Sequence, residues 1–132
     1  MAIQFDVATR NAMADAITSQ VGSNALLKIY DGTPPGSVGA SLSGNNLLVS
    51  LPCSATFAPA ASGGALTLNA ITTTNASATG TASFFRITTS GGTAKVQGTV
   101  GTTANDLNLT STSIVSGAPV AINSAVLTMP GA

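Results

Sequence analysis

Apolar residues recur at three- and four-residue spacing in only one part of the chain, near its start. Between Val7 and Val21, the residues Ala12, Met13, Ala16, Ile17 and Val21 form one stripe, which predicts an amphipathic helix over 7–21. Asp6 stands where an N-cap belongs, and Gly22 where a left-handed C-terminal residue would stop the helix. Arg10 and Asp15 lie off the stripe and are expected to face water. A fifteen-residue helix is marginal alone in water, so it is expected to dock, most simply on the sheet that follows.

Beyond Gly22 the period changes from about 3.6 to 2, and Gly, Pro and Asn break the chain into short runs. Ala25–Tyr30 reads as a strand with Leu27 and Ile29 on one face, and Asn46–Leu51 as a second, ended by Pro52. Between them the stretch from Asp31 to Asn45 contains Gly-Thr-Pro-Pro-Gly and further Gly and Ser residues. That is long for a structureless loop, and such loops are usually functional or mobile. After a turn over 58–64, Ala65–Ile71 reads as another strand. The clearest hairpin joins Thr79–Thr89 to Ala94–Val100 through Ser90-Gly91-Gly92-Thr93. In its second arm Ala94, Val96, Gly98 and Val100 alternate with Lys95, Gln97 and Thr99, so one face should be buried and one wet. Asp106–Thr110 alternates in the same way. The last run, Pro119–Met129, changes phase between Ile122 and Ala125, which predicts a bulge near Asn123-Ser124. Seven or eight strands of this kind argue for a mainly β fold, an antiparallel sandwich or small barrel, with one N-terminal α-helix. The 132 residues fit a single domain, with the helix over about 7–21 and the β part over about 25–129.

Composition then narrows the function. Hydrophobic residues make up 44% of the chain, enough for a sizeable core, but charged residues make up only 6% against a typical share of about 25%. The charges are Arg10, Lys28, Arg86 and Lys95 against Asp6, Asp15, Asp31 and Asp106, a net charge of zero. No electrostatic footprint for nucleic acid or an anionic membrane exists, and near-neutral chains tend to associate. The start lacks the basic and apolar regions of a secretory signal, and no run approaches a membrane span.

Chemistry is scarce. His and Glu are absent, which excludes Ser-His-Asp and Cys-His catalysis and leaves four Asp residues for any carboxylate pair. Asp6 has a capping role available, Asp15 lies on the helix, Asp31 precedes Gly32 in a turn, and Asp106 opens a strand. No catalytic, cofactor-binding or metal site is expected. Calcium could use oxygens around Asn105, Asp106 and Asn108, but no calcium-loop spacing is present. Cys53, flanked by Pro52 and Ser54, reads as a small buried hydrophobe with no basic neighbour to activate it. Phe84 and Phe85 are adjacent on a strand and must point to opposite faces, one to the core and the other to a helix, a neighbouring subunit or solvent.

Three stretches carry a resemblance. Leu27-Lys28-Ile29-Tyr30-Asp31-Gly32-Thr33-Pro34-Pro35, Ala78-Thr79-Gly80-Thr81-Ala82-Ser83-Phe84-Phe85-Arg86-Ile87, and Gly98-Thr99-Val100-Gly101 running on to Asp106-Leu107-Asn108-Leu109 resemble a group of short tailed-bacteriophage virion proteins. The likeness extends over nearly the whole chain. It implies a capsid decoration (cement) protein, a non-enzymatic structural component that binds the outside of the capsid lattice and reinforces it. The major capsid protein is then the expected partner, a homo-oligomer the expected state with a trimer as one candidate form, and the virion the expected location after synthesis in the host cytoplasm. The alternatives are a tail or head-fibre component, or a carbohydrate- or receptor-binding β module. The N-terminal residues, the Asp31–Asn45 loop and the Pro130-Gly131-Ala132 tail are the candidate contact arms.

Overall fold

The computed structural model describes residues 3–103 and 105–129, so the C-terminal tail over 130–132 lies outside the described residues. The helix α1 runs Val7–Val21. It is followed by β1 (Leu26–Tyr30), β2 (Leu47–Pro52), β3 (Ala65–Thr67), β4 (Thr74–Asn75), β5 (Gly80–Thr81), β6 (Phe84–Thr88), β7 (Ala94–Gly101), β8 (Leu107–Leu109), β9 (Ser113–Ile114), β10 (Pro119–Val120) and β11 (Ile122–Thr128). Seven strands form one sheet in the order β2-β1-β6-β7-β8-β11-β3, and β10-β4 and β5-β9 form two-stranded ribbons. The fold is mainly β, a large sheet curled into a half-barrel around the N-terminal helix. One continuous apolar cluster, from Ala14 and Val21 of α1 through Leu27, Ile29, Phe85 and Ile87 to Leu127, ties helix and sheet together.

Both helix caps lie where the sequence puts them. The Asp6 carboxylate accepts the Thr9 N–H at 2.8 Å, and Gly22, at φ +70°, donates its N–H to the Thr18 carbonyl. Hydrogen bonding from Thr9 lowers the Asp6 pKa below its ordinary 3.8. A group depressed in the native state contributes stability above its unfolded pKa and loses it as pH falls through the native one. Asp6→Ala should therefore lower the thermal midpoint at neutral pH but leave it nearly unchanged well below pH 3.8, where the native carboxyl is itself protonated. Thermal melts of both proteins at the two pH values check this.

The inward face of α1 is rotated from the expected stripe. Ala14 and Val21 are buried and Met13 and Ile17 half-buried, whereas Ala12 and Ala16 are exposed. Arg10 and Asp15 do not face water as expected. Asp15 accepts the Ala61 N–H at 2.7 Å, Asn11 accepts the Gly64 N–H at 2.8 Å, and Arg10 donates to the Gly63 carbonyl at 3.4 Å. Polar side chains thus bind the backbone of a loop about fifty residues away. A reading from apolar spacing has no access to such bonds, because each polar residue looks like a solvated one.

The strand departures have similar causes. The expected strand 65–71 stops at Thr67, because Asn69 turns to the 56–57 segment, donating its N–H to the Phe57 carbonyl and its side-chain amide to that of Thr56. The expected 79–89 arm breaks after Thr81. Ala82 donates to the Thr112 carbonyl, and Ser83 donates from its hydroxyl to the Gly32 carbonyl at 2.6 Å, so residues 80–82 join β9 and only β6 joins the main sheet. The β6–β7 hairpin and the bulge at Asn123 are present, the latter as a register shift between Ile122 and Ser124. All strand pairs are antiparallel except one. β8 runs parallel to β7 through Val100↔Leu107 and Gly101↔Asn108, although only five residues connect them. Parallel neighbours normally need a connection of a dozen or more residues. Here the pairing lasts two residues, so the chain only steps sideways before resuming its direction.

Candidate functional surfaces

Each of the four Asp side chains accepts a backbone N–H. Beside Asp6 and Asp15, Asp31 accepts the Asn46 N–H at 2.7 Å, which holds its pKa below 3.8, and Asp106 accepts the Thr99 N–H at 3.2 Å. These four groups lie at a helix cap, a helix–loop clip, a loop base and a strand end, and none is brought together with another. Asn105, Asp106 and Asn108 are adjacent, but their polar atoms face neighbours. Asn108 accepts the Asn105 N–H and donates to the Asn105 carbonyl and to the Ser124 hydroxyl, while Asp106 also accepts from the Thr99 hydroxyl.

Cys53 is 8% exposed, and burial pushes its thiol up to about 11. The nucleophile is the thiolate, so this thiol is inert at neutral pH. At pH 8 the native protein should react with a thiol-specific disulfide reagent at least a hundredfold more slowly than the chain in denaturant, measured by absorbance of the released thiolate.

The Asp31–Asn45 loop, one of the candidate contact arms, is fastened along its length. At its base Asn45 donates from its side-chain amide to the carbonyls of Asp31 (2.8 Å) and Thr33 (3.0 Å). At its middle the Arg86 guanidinium, only 7% exposed, donates to the carbonyls of Ala40 (2.8 Å) and Ser37 (3.3 Å) and to the Gln97 side-chain oxygen (2.9 Å). Gln97 in turn donates to the Pro35 carbonyl at 2.9 Å. The cross-strand register Lys28↔Arg86↔Gln97 places these groups on one face of β1-β6-β7, with Tyr30 and Phe84 beside them. Those two rings stack at 5.2 Å with an interplanar angle of 15°. Phe85 is the member of the Phe pair that enters the core; Phe84, 1% exposed on the other face, meets not solvent but the ring of Tyr30. Sequence reasoning missed Arg86 and Gln97, which look like wet-face residues. Their only signal is that a long loop must close over something.

The sheet edges are also less open than charge scarcity suggests. β2 is bordered by the 72–77 segment, where Ser77 donates its N–H to the Leu48 carbonyl at 2.8 Å and Thr72 to that of Pro52 at 3.1 Å. Of the exposed large apolar residues among the described ones, Ile3 (77%), Phe5 (37%) and Val7 (47%) follow one another at the N-terminus, and Leu42 (37%), Leu47 (38%) and Val115 (55%) lie elsewhere. Among the described residues, no helix is long and apolar enough to cross a membrane.

Comparison with protein-family models, curated proteins and solved structures found no match. The functional reading therefore stands on the residues and their geometry, together with the sequence resemblance.

Proposed function

We propose that the chain is a structural virion protein that decorates a bacteriophage capsid, binding the outer lattice formed by the major capsid protein and reinforcing it. The observation that carries this reading is the use of the reactive groups. Four carboxylates bind backbone N–H groups, the one thiol is buried, and the one buried cation holds a loop. What is left on the outside is a charge-poor polar surface with an apolar N-terminus, a surface suited to contact rather than turnover. The likeness in the segments around Tyr30, Phe84 and Asp106 to tailed-phage virion proteins supplies the partner. A lattice presents many equivalent sites, so modest individual contacts add up over the particle.

The test is binding of the purified chain to purified, expanded capsids of the same virus. Co-sedimentation should saturate at a fixed ratio to the major capsid protein, and electron microscopy should place regular density on the capsid faces. Absence of the chain from purified virions would overturn the proposal, and density confined to the tail or a fibre would move it to that component.

A further inference from the structure

The main sheet is one strand short over part of its width. β8 lies between β7 and β11 but has only three residues, against eight and seven for its neighbours. Its pairing with β7 begins at Val100, and its pairing with β11 begins at Ala125. Before Leu107 the chain leaves the sheet, and the line of β8 continues as a gap between Val96–Thr99 on one side and Val126–Met129 on the other. Strands on either side of a third lie about 9.6 Å apart, so the gap admits one extended chain.

Both walls of this gap present backbone groups. Thr99 donates its N–H toward the gap to the Asp106 carboxylate, which closes that end, so Gln97, two residues earlier on the same strand, faces the same way and stands beyond it. On β11, the Ala125 carbonyl and the Met129 N–H bond toward β3, which turns Val126 and Thr128 toward the gap. The gap opens on a cavity of about 150 Å³ whose floor is Ile17, Phe85, Val96, Leu127 and Met129, with Gly98 and the polar Gln97, Asp106 and Thr128 also in its lining. Beside it a second, of about 170 Å³, lies between Val96 and the helix residues Met13 and Ile17. Backbone groups turned toward the gap from both walls favour a partner that can hydrogen-bond to both, as an extended peptide does.

The same chain carries a segment of that description. Ile3-Gln4-Phe5 precedes the helix without belonging to any element, and its two apolar side chains alternate with a polar one while standing exposed. We propose that Ile3–Phe5 of one copy enters the β8 gap of a second copy as an added strand, with Ile3 and Phe5 directed at the apolar floor and Gln4 outward. The donor is another copy. In its own chain Ile3 stands exposed and neither Ile3 nor Phe5 lines the cavity under the gap, while the Phe5 carbonyl is held by the Arg10 guanidinium at 3.3 Å. A net charge of zero opposes no such contact between identical copies. The proposal concerns the chain alone and holds whether or not the partner in the particle is a capsid.

Sedimentation equilibrium of the full chain up to a few hundred micromolar should show self-association. Ile3→Asp and Phe5→Asp, both at exposed positions outside the core, should each raise the dissociation constant at least tenfold while leaving the thermal midpoint of the monomer unchanged. Hydrogen exchange of the Gln97 and Val126 amides should be at least tenfold slower in the native oligomer than in Phe5→Asp. Mixing Gln4→Cys chains with Thr128→Cys chains under mild oxidation should give the mixed disulfide, with the buried Cys53 left out. A chain that stays monomeric overturns the proposal. So does an oligomer that both arm variants leave intact, or one in which the two amides exchange as fast as in Phe5→Asp.

Discussion

Arg86→Ala should be among the most damaging single substitutions in the chain, lowering stability by about 2–4 kcal/mol. The guanidinium makes three hydrogen bonds from a position 7% exposed, two of them to loop carbonyls at 2.8 and 3.3 Å. Bonds donated by a charged group contribute about 1.5–3 kcal/mol each, but removing the charge also removes its desolvation penalty, so the net loss falls well below their sum. The loss should be local in its consequences. With the Ser37 and Ala40 carbonyls released, the Asp31–Asn45 loop keeps its fastenings near the base, from Asn45, Asp31 and the Ser83 hydroxyl on Gly32, and that of Gln97 at Pro35. Limited proteolysis within residues 33–43 should accelerate at least tenfold, while far-ultraviolet dichroism keeps the signal of α1, which lies on the opposite face. Arg86→Lys should recover little, because an ammonium cannot span two carbonyls and the Gln97 oxygen as the planar fork does. Equal proteolysis of native and variant loops would mean that the loop is rigid without the latch.

This latch also marks where sequence reading reaches its end. The bounds of α1, the hairpin after Phe84-Phe85 and the bulge at Asn123 are legible because each is written in neighbouring residues: a cap, a Gly-Gly turn, a change of phase. Arg86 and Ala40 are 46 residues apart, Asp15 and Ala61 also 46, and Arg10 and Gly63 are 53 apart. In each case a side chain expected to meet water instead binds the backbone of a loop. Alternation assigns such a residue to the polar face correctly and then misjudges what covers that face. The same limit explains the Phe pair. Parity separates Phe84 from Phe85, but only the tertiary position of α1 makes Phe85 the core residue and leaves Phe84 to stack on Tyr30. The scarcity of chemistry, by contrast, is legible at once, since composition alone removes His and Glu. What the structure adds is the employment of each remaining carboxylate.

The gap beside β8 was illegible for a further reason. Leu107–Leu109 and its flanks alternate like any strand, and nothing local says that the chain departs the sheet at Asp106. Absence of a strand between two others is a property of the assembled sheet, and it depends on the parallel step between β7 and β8.

At the floor of that gap stands the second large effect. Phe85, 1% exposed, pairs across the hairpin with Gly98, and a methyl group on Gly98 would come within 2.7 Å of the Phe85 ring edge. Glycine is needed there for room, because its φ is unexceptional and the ring occupies the space of its missing side chain. Phe85→Ala should cost about 3–5 kcal/mol through loss of buried area and the cavity left behind. Gly98→Ala should cost about 1–3 kcal/mol through overpacking. The two sites touch, so their effects should not add. In a Phe85→Leu background the ring edge is gone, and Gly98→Ala should cost at least 1 kcal/mol less than it does alone, roughly the scale of coupling between contacting residues. Urea unfolding of the four proteins of this cycle measures the coupling. An undiminished penalty in the Leu background would shift the clash to the Asp106 carboxylate, which stands 2.8 Å from the same point. Asp106→Ala should then relieve Gly98→Ala where Phe85→Leu did not, and that outcome would remove the ring as the reason for glycine at this position.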